Sequence, residues 1–368
     1  MPDSMDKLTI RGFKSIRAME KFELKSLNVF IGGNGAGKSN LIEFFRLLRK
    51  IIDGNHDEYI RAGGGISDFL FNGRKVTSQL EFEARFGIRG YRFRIKPGLS
   101  ENCVLTDEAR YYEHGTTGWW SLGDSPDNKS MLVKEAKADS PGSKYSKPVY
   151  EAISSWQIYH FHDTSTTAAM RHYETIQDNK VLRFNASNIA PYMLRLRNEY
   201  ADAYQEILDS VRLVIPFFDD FLLDVAVFGE KQKVNLSWRQ KGSDYPLQPY
   251  HLSDGSIRFI CLATALLQPN PPSTIIIDEP ELGLHPFAIA ILAELIQYAS
   301  KRTQLIVATQ SPALIDHFGV EDVIVVNRKK GASTFERLQE KDFNIWFETY
   351  SVGELWSKNV ISGGPVNE

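Results

Sequence analysis

Cysteine is scarce in this chain of 368 residues: Cys103 and Cys261 are the only two, and they lie in unrelated contexts. Two thiols without a repeated spacing indicate a reducing cytosol and argue against a disulfide framework or a cysteine-based zinc site. Long apolar runs are also missing, since none approaches the ~20 residues of a membrane-spanning helix. The polar, acidic N-terminus lacks the pattern of a secretion signal. We therefore expect a soluble, cytoplasmic protein with no membrane partner.

A large charge of one sign is absent as well. The formal net charge of -3 gives no global attraction to nucleic acid or to a membrane, so any polyanion contact needs a local basic patch. Hydrophobic residues make up 42% of the chain and charged residues 24%, which is typical of a globular protein with a large core. The length suggests two or three domains.

Residues 32–39 read GGNGAGKS and fit the Gly-x4-Gly-Lys-Ser phosphate loop. The motif lies between an apolar strand, residues 27–31, and a helix that begins near Asn40, which is the context it requires. Such a turn directs backbone N–H groups at phosphate oxygens, and the helix N-terminus adds partial positive charge. The loop predicts Mg²⁺ and a nucleoside triphosphate, assigned as ATP, with Lys38 on the β/γ-phosphates and Ser39 on the metal. The other predicted cofactor-binding positions here are Gly32, Asn34, Gly35, Ala36, Gly37 and Asn40. A glycine-rich turn without a ligand is the alternative.

A second motif, residues 274–280 (TIIIDEP), is a short β-branched run that ends in two carboxylates. This pattern predicts a buried parallel strand that delivers acids to its C-terminal edge. Asp278 would hold the Mg²⁺ shell, and Glu279 would polarise the water that attacks the γ-phosphate. An ordinary strand followed by a turn is the alternative, which the phosphate loop makes the poorer explanation.

Period-two alternation predicts β-structure in the first half of the chain. Residues 8–13 and 22–24 read as antiparallel edge strands ahead of the phosphate-loop strand. Residues 77–122 form a β-lobe with a hairpin, in which a turn over residues 87–90 sets Phe86 opposite Tyr91. We expect an antiparallel β-lobe, extended by residues 104–113 and 118–122.

Helical spacing dominates from about residue 187 to 214, with a break expected near Pro191. No heptad is sustained there, so the chain has no coiled-coil arm. Strands follow at residues 222–228 and 233–238. Helix and strand then alternate through residues 257–267, 274–277, 287–299, 304–308, 312–317 and 323–326. This alternation predicts an α/β fold with a mostly parallel sheet covered on both faces.

Residues 251–256 (HLSDGS) precede a helix and lie about twenty residues ahead of the acidic strand, the order found for the signature loop of ABC-type ATPases. On these motifs the chain resembles the ABC-type ATPase heads of the RecF/SMC group, including OLD-like predicted ATPases of bacteria, from Leu8 to about Val326. Ser253 and the N–H groups around Gly255 open a helix and form an anion site. The resemblance implies that this site grips the nucleotide of a second subunit, giving a homodimer or higher homo-oligomer around ATP. Without the family, Ser253 is a helix N-cap.

Two further loops match the same group. Residues 281–286 resemble its D-loop, which communicates across the dimer, and residues 308–312 occupy the place of its switch loop. Gln310 stands where many relatives carry histidine. A glutamine can donate a hydrogen bond to phosphate but cannot take up a proton, so γ-phosphate sensing is expected without acid–base switching.

The Q-loop of the group should follow the β-lobe, near residues 159–164, but no glutamine stands there. His160 and His162 would share a face of a strand and suggest a transition-metal site with Asp163. No third spaced ligand is evident, so a structural or Mg²⁺-proximal role is the simpler interpretation.

Relatives mostly act on DNA, and the return strand of the β-lobe, residues 91–96, carries basic residues on one face. In the predicted register, glutamates oppose two of them, Glu83 facing Arg94 and Glu81 facing Lys96. Arg85 and Arg92 would remain as a like-charged pair that needs an external anion. DNA is therefore a candidate partner.

These motifs and the resemblance predict the head of a P-loop NTPase with a mostly parallel sheet, an antiparallel β-lobe and a helical insertion. We divide it into residues 1–165, 166–220 (the insertion) and 221–368. The predicted catalytic residues are Glu279, Lys38 and Gln310, and the metal ligands are Ser39 and Asp278.

The implied function is an ATP-hydrolysing switch that dimerises head to head, in DNA repair or anti-phage defence. Acids after the switch loop show no paired metal-binding pattern, so a nuclease or other effector would be a separate protein. The first alternative is a slowly or non-hydrolysing ATP-bound scaffold for a partner protein. The second, a nucleotide-binding subunit of a membrane transporter, is disfavoured by the β-lobe and the helical insertion.

Overall fold

The computed structural model describes residues 4–113, 118–342 and 350–361. The strands run over Lys7–Phe13 (β1), Ile16–Glu23 (β2), Leu27–Ile31 (β3), Leu80–Phe86 (β4), Arg89–Pro97 (β5), Cys103–Tyr112 (β6), Gly118–Ser121 (β7), Gln157–Tyr159 (β8), Glu174–Thr175 (β9), Phe218–Leu222 (β10), Ala226–Phe228 (β11), Lys231–Val234 (β12), Ser237–Gln240 (β13), Pro246–Leu247 (β14), Thr274–Asp278 (β15), Gln304–Thr309 (β16), Val323–Lys329 (β17) and Ala332–Arg337 (β18). The helices run over Lys38–Asp53 (α1), His56–Ala62 (α2), Ile66–Phe69 (α3), Met131–Lys137 (α4), Ser143–Ser155 (α5), Ile189–Glu199 (α6), Ala201–Val214 (α7), Asp254–Leu267 (α8), Pro286–Ser300 (α9), Pro312–Ile315 (α10) and Val352–Ser357 (α11). In the part of the chain that these ranges cover, no helix has the length and apolar character to cross a bilayer.

The central sheet has the strand order β18-β17-β3-β16-β15-β8, and all neighbours are parallel except β17 and β18. Its side chains alternate between two apolar clusters: Val29 and Ile31 belong to one, and Phe30 belongs to the other. A strand that is buried on both faces has this pattern. The prediction of a mostly parallel sheet covered on both faces is therefore confirmed. The loops after β3, β8, β15 and β16 meet at one edge of the sheet, because the carboxyl ends of parallel strands share an edge.

The β-lobe is an antiparallel sheet with the order β2-β1-β4-β5-β6-β7. The prediction that residues 8–13 form an edge strand is wrong, since β1 pairs with β2 on one side and with β4 on the other. The apolar side chains of β1 face the core of the lobe. Their alternation predicts a strand but does not show that β4 pairs with it on the second side. The first two strands thus belong to the lobe and not to the phosphate-loop sheet.

The β4–β5 hairpin has a different register from the predicted one. Phe86 pairs with Arg89 instead of Tyr91, because Gly87 takes a left-handed φ of 58° and closes the turn in two residues. Glu83 consequently lies opposite Arg92, and Glu81 lies opposite Arg94. The prediction that Glu83 faces Arg94 and Glu81 faces Lys96 is therefore wrong, because the register is shifted by two residues.

The two arginines expected to need an external anion lie instead over aromatic rings. The guanidinium carbon of Arg85 is 3.2 Å from the ring centroid of Tyr111, and that of Arg92 is 4.6 Å from the ring centroid of Trp119. Arg85 also lies 3.6 Å from the carboxylate of Glu83. Cation–π contacts of this kind stabilise the charges within the lobe.

The helical insertion breaks at Tyr200, between α6 and α7, and not near Pro191 as predicted. Pro191 is the third residue of α6, where a backbone N–H has no partner within the helix, so proline fits without a break. The predicted strands at 222–228 and 233–238 are four shorter ones, because β10 and β13 pair in one small sheet while β11 and β12 pair in another. The division at residues 165 and 220 stays a prediction.

Candidate functional site

The phosphate loop follows β3 and ends at Gly37, which caps α1 with a left-handed φ of 118°. A Cβ atom on Gly37 would lie 2.0 Å from the Ser333 hydroxyl and 2.9 Å from the Ser15 hydroxyl. A Cβ on Gly32 would lie 2.3 Å from the carbonyl oxygen of Val326. Glycine is needed at both positions because neighbouring strands approach the loop so closely.

Two serines brace the loop from distant parts of the sequence. Ser333 donates a hydrogen bond from its hydroxyl to the Ala36 carbonyl at 2.5 Å, and from its N–H to the Ser15 carbonyl at 2.7 Å. Asn40, predicted to bind cofactor, has its side-chain amide 2.7 Å from the Ser15 hydroxyl, to which it donates. No motif points to Ser15 or Ser333, since their role arises only when β18 meets the β1–β2 turn.

Lys38 is buried and folded back over the loop. Its ammonium donates to the carbonyls of Gly32 at 2.6 Å and Gly33 at 3.3 Å. Burial lowers the pKa of Lys38, and the nearby Glu279 and Asp278 carboxylates oppose that shift. The charge of this lysine therefore lies inside the loop and next to the acidic strand end, while Ser39 beside it is exposed.

The acidic pair lies at the end of β15. Burial raises the pKa of Asp278, and the adjacent Glu279 carboxylate raises it further. Glu279 has a left-handed φ of 45°, and its N–H donates to the Ala308 carbonyl at 2.8 Å. A non-glycine residue in this region is strained, and such strain is concentrated at functional sites. The side-chain amide of Gln310 donates a hydrogen bond to the Glu279 carboxylate.

Glu281, the first residue of the predicted D-loop, contacts the switch loop. Its carboxylate accepts from the Thr309 hydroxyl at 2.6 Å and from the Gln310 N–H at 3.2 Å. Burial raises the pKa of Glu281. Hydrogen bonds therefore join the D-loop to the switch loop within one chain. The position of Glu281, three residues after Asp278, is the sequence feature that could have identified it as a residue of the site.

The residues of this edge have the donor chemistry that Mg²⁺ requires. Ser39 supplies a hydroxyl oxygen and Asp278 a carboxylate oxygen, and hard oxygen ligands are those that Mg²⁺ prefers. The carboxylates of Asp278, Glu279 and Glu281 all lie close enough to Lys38 to raise its pKa against the effect of burial. Glu279 also lies close enough to raise the pKa of Asp278 and that of Glu281. Three acids beside two cations, Lys38 and Arg46, leave an excess of negative charge that a divalent cation would balance.

The signature loop lies against the D-loop. Ser253 caps α8, its hydroxyl accepts from the Ser256 N–H at 3.1 Å, and its side chain is exposed. Gly255 packs so closely on the D-loop that a Cβ atom there would lie 2.5 Å from the Gly283 carbonyl oxygen. The fold thus brings together at the sheet edge Lys38, Asp278, Glu279 and Gln310. The two predicted signature residues, Ser253 and Gly255, lie on a neighbouring surface.

Arg258 on α8 links three segments of the site. It is buried, and it donates to the carbonyls of Phe161 at 2.9 Å, His162 at 3.0 Å and Leu282. The His162 ring nitrogen Nε2 is in turn 3.1 Å from the carbonyl oxygen of Asp278. The signature helix is therefore connected to the segment after β8, to the D-loop and to the acidic strand.

A second buried arginine holds the signature loop in place. Arg171 donates to the carbonyls of Thr164 at 2.9 Å, Pro249 at 2.6 Å and Leu252 at 3.0 Å. Its remaining nitrogen lies 2.9 Å from the Asp254 carboxylate. Neither buried arginine belongs to a local motif, so no sequence pattern distinguishes them from surface residues.

The segment expected to hold the Q-loop carries histidines instead. β8 ends at Tyr159, so His160 and His162 lie beyond the strand, and their rings contact each other with centroids 3.9 Å apart. Burial and the neighbouring His162 lower the pKa of His160 to about 4. Over the described ranges, no third side chain joins them as a metal-ligand group.

Replacing Arg258 should cost stability. In Arg258→Met the buried carbonyls of Phe161, His162 and Leu282 lose their donor, and we expect the free energy of unfolding to fall by about 2–4 kcal/mol. Urea unfolding followed by circular dichroism measures the loss. Arg49→Met is the control, because Arg49 makes a partly exposed ion pair within α1 and a single long contact of 3.5 Å with the Trp156 carbonyl, so its loss should cost under about 1 kcal/mol. Equal losses in both variants would contradict the proposed linking role of Arg258.

A parallel sheet that brings a phosphate loop, an acidic strand end and a switch loop to one edge, with a signature loop capping the next helix, defines an ABC-type ATPase head of the RecF, SMC and Rad50 group. Residues 27–316 match the family model described as "AAA domain, putative AbiEii toxin, Type IV TA system". This match covers more than half of the chain, and the chain belongs to that family.

Solved structures have the same fold. An Smc head bound to the C-terminal winged-helix domain of ScpA aligns with a TM-score of 0.58 at 16% identity, covering 93% of this chain and 99% of that one. An Smc head with an extended coiled coil, bound to the C-terminal domain of ScpA and derived from Pyrococcus furiosus, aligns with a TM-score of 0.53 at 18% identity, covering 94% and 99%. A 73-residue segment is 38% identical to the DNA double-strand break repair Rad50 ATPase of Saccharolobus solfataricus. It covers 18% of this chain and 8% of that protein.

Proposed function

We propose that this protein binds Mg·ATP between two copies of itself and hydrolyses it, so that the heads close with ATP and separate after hydrolysis. The observation that carries this proposal is the contact of the Gln310 amide with the strained Glu279, next to Lys38 and Asp278. A base that is held by a neighbour and faces a phosphate cradle is the arrangement that phosphoryl transfer to water requires.

Each side chain has a role in this proposal. The loop N–H groups and Lys38 bind the phosphates, and Ser39 and Asp278 would hold Mg²⁺, which would neutralise charge on the phosphate oxygens. Glu279 orients the attacking water and takes its proton, and Gln310 orients Glu279. Gln310 would thus sense the γ-phosphate through the carboxylate that it contacts.

The proposed dimer face is the surface shared by the signature loop and the D-loop. Ser253 is exposed there at the N-terminus of α8, where backbone N–H groups favour an anion. Leu282 of the D-loop and Phe287 at the start of α9 are 46% and 54% exposed, and a dimer formed through this face would cover both side chains. In a twofold dimer this face would meet the phosphate-loop edge of the second copy, and its own phosphate-loop edge would meet the partner's signature loop, so that Ser253 lies against the partner's nucleotide.

Ser253→Arg tests the composite site. The variant should bind a nonhydrolysable ATP analogue as a single head with an affinity within about threefold of wild type, since its own phosphate loop is intact. It should lose the ATP-dependent dimer, measured by light scattering, because the new side chain blocks the shared face. Ser243→Arg, in an exposed turn after β13, is the matched control and should dimerise normally. A Ser253→Arg variant that still dimerises with ATP contradicts the model.

A scaffold that binds ATP and hydrolyses it slowly is the second candidate. It is favoured by the identity of Gln310, since a side-chain amide next to Glu279 can donate a hydrogen bond but cannot take up a proton. Phosphate release by the wild-type protein distinguishes the two. Negligible release that is unchanged in Glu279→Gln would favour the scaffold.

We propose a cytoplasmic role in DNA repair or anti-phage defence, with a separate effector protein. The named Rad50 relative is a DNA repair ATPase, and the Smc heads are bound to ScpA, which supports a partner protein. DNA contact would be tested by fluorescence anisotropy with duplex DNA, with and without ATP. Binding should weaken steeply with salt if phosphate contacts carry it.

A further inference from the structure

Three potential metal ligands from distant parts of the chain meet between α2 and β6. His56 and Asp57 are the first two residues of α2, and Cys103 is the first residue of β6. One ligand atom from each lies within 4.8 Å of the others, and the Cys103 sulfur is 3.0 Å from an Asp57 carboxylate oxygen. None of these residues belongs to the nucleotide site.

The His56 ring is a buried group without partners. The residue is 1% exposed, and neither ring nitrogen has a hydrogen-bond partner among the residues that the structure describes. Buried polar atoms are nearly always paired, so two orphaned nitrogens on one ring need an explanation. A neutral imidazole nitrogen is also among the commonest metal ligands in proteins.

The carboxylate is held in place by an outer partner. The Asn128 amide donates to both Asp57 oxygens, at 3.0 Å and 2.9 Å, and to the Cys103 carbonyl at 2.9 Å. Its own oxygen accepts from the Leu105 N–H at 2.7 Å. Metal-binding carboxylates are characteristically oriented by hydrogen bonds of this kind.

We propose that His56, Asp57 and Cys103 bind a zinc ion. A mixed nitrogen, oxygen and sulfur donor set suits Zn²⁺, whereas Mg²⁺ and Ca²⁺ take oxygen ligands. Ligand atoms on tetrahedral zinc lie about 3.3–3.6 Å apart, a spacing that falls between the 3.0 Å contact of Cys103 with Asp57 and the 4.8 Å limit of the cluster. A water would supply the remaining ligand, and Asp57, which is half-buried, is the ligand nearest to solvent.

Binding exchanges a proton for the metal. A Zn–S bond forms, the S–H bond of Cys103 breaks, its proton goes to solvent, and no electrons are transferred. Because α2 follows α1 after two residues, the ion joins the end of the phosphate-loop helix to the β-lobe.

The small number of cysteines predicts that a cysteine-based zinc site is absent. That prediction applies to sites with several thiolates, whereas the proposed site has only one.

Cobalt substitution of the full chain tests the site. Co²⁺ bound by a thiolate has a charge-transfer band in the near ultraviolet, and we expect wild type to bind about one Co²⁺ with this band. Zn²⁺ should abolish the band by competition. Cys103→Ser should lose it. Cys261→Ser should keep it, since Cys261 is buried on α8 with its sulfur 3.9 Å from that of Met170.

A second variant keeps the test decisive if Cys103→Ser does not fold. Asn128→Gly tolerates the left-handed φ of 55° at this position, retains all three ligands, and should weaken Co²⁺ binding by roughly 10–100-fold with the band still reached at saturation. A wild-type protein with no thiolate band overturns the proposal. The proposal is also overturned if the thiolate band survives in Cys103→Ser, or if the Co²⁺ affinity of Asn128→Gly equals that of wild type.

Discussion

Glu279→Gln should lower the rate of ATP hydrolysis by at least about a hundredfold and leave a stable ATP-dependent dimer. An amide at this position retains the shape of the side chain but cannot take the proton of the attacking water, which general-base catalysis at this scale requires. The phosphate loop, Ser39 and Asp278 are unchanged, so affinity for Mg·ATP should be kept. Phosphate release measures turnover, and light scattering measures the dimer.

Glu294→Gln is the matched control for this variant. Glu294 is an exposed residue of α9 and should show wild-type turnover and dimerisation. A Glu279→Gln variant that hydrolyses ATP at the wild-type rate would remove Glu279 from the mechanism. One that binds ATP but stays strictly monomeric would contradict closure around the nucleotide.

Lys38→Ala should abolish nucleotide binding, with an affinity loss of about a hundredfold or more. Lys38 is the cation inside the phosphate loop, and charge-assisted hydrogen bonds to phosphate are the strongest that such a cradle offers. Without it, the Asp278 and Glu279 carboxylates would also repel the triphosphate unopposed by a lysine. Isothermal calorimetry with Mg·ATP and with a nonhydrolysable analogue measures the loss.

Lys50→Ala, in the last turn of the same helix, serves as the control and should bind Mg·ATP like wild type. Retained affinity in Lys38→Ala would mean that the loop is not the nucleotide site. The thermal unfolding midpoint should be measured in parallel, since Lys38 is buried and its removal exposes the loop carbonyls that it contacts.

The parts of the site that lie within one strand–loop–helix unit could be predicted from the sequence. The glycines of the loop, Lys38 and the acidic pair each belong to a short motif whose backbone geometry follows from neighbouring residues. The parallel sheet then brings the two motifs to one edge, because right-handed crossovers leave few other arrangements. Local periodicity therefore accounted for the main architecture.

The remaining features depend on contacts between distant residues. The hairpin register turned on whether Gly87 closes the turn in two residues or four, and the spacing of apolar side chains is the same in both cases because the shift is even. The interior position of β1 depends on its pairing with β4. The linking roles of Arg258 and Arg171 arise from three carbonyls each, and a backbone carbonyl carries no sequence signal.

The bracket of Ser15 and Ser333 on the phosphate loop spans 318 positions of the chain. During synthesis on the ribosome, the phosphate loop with Lys38 emerges early. Strand β18, which carries Ser333 and packs against Gly37, is translated only after the intervening residues. At typical elongation rates this delay is roughly 15–60 s. A nascent chain consequently carries the whole phosphate-loop motif long before it can hold a triphosphate in a rigid cradle.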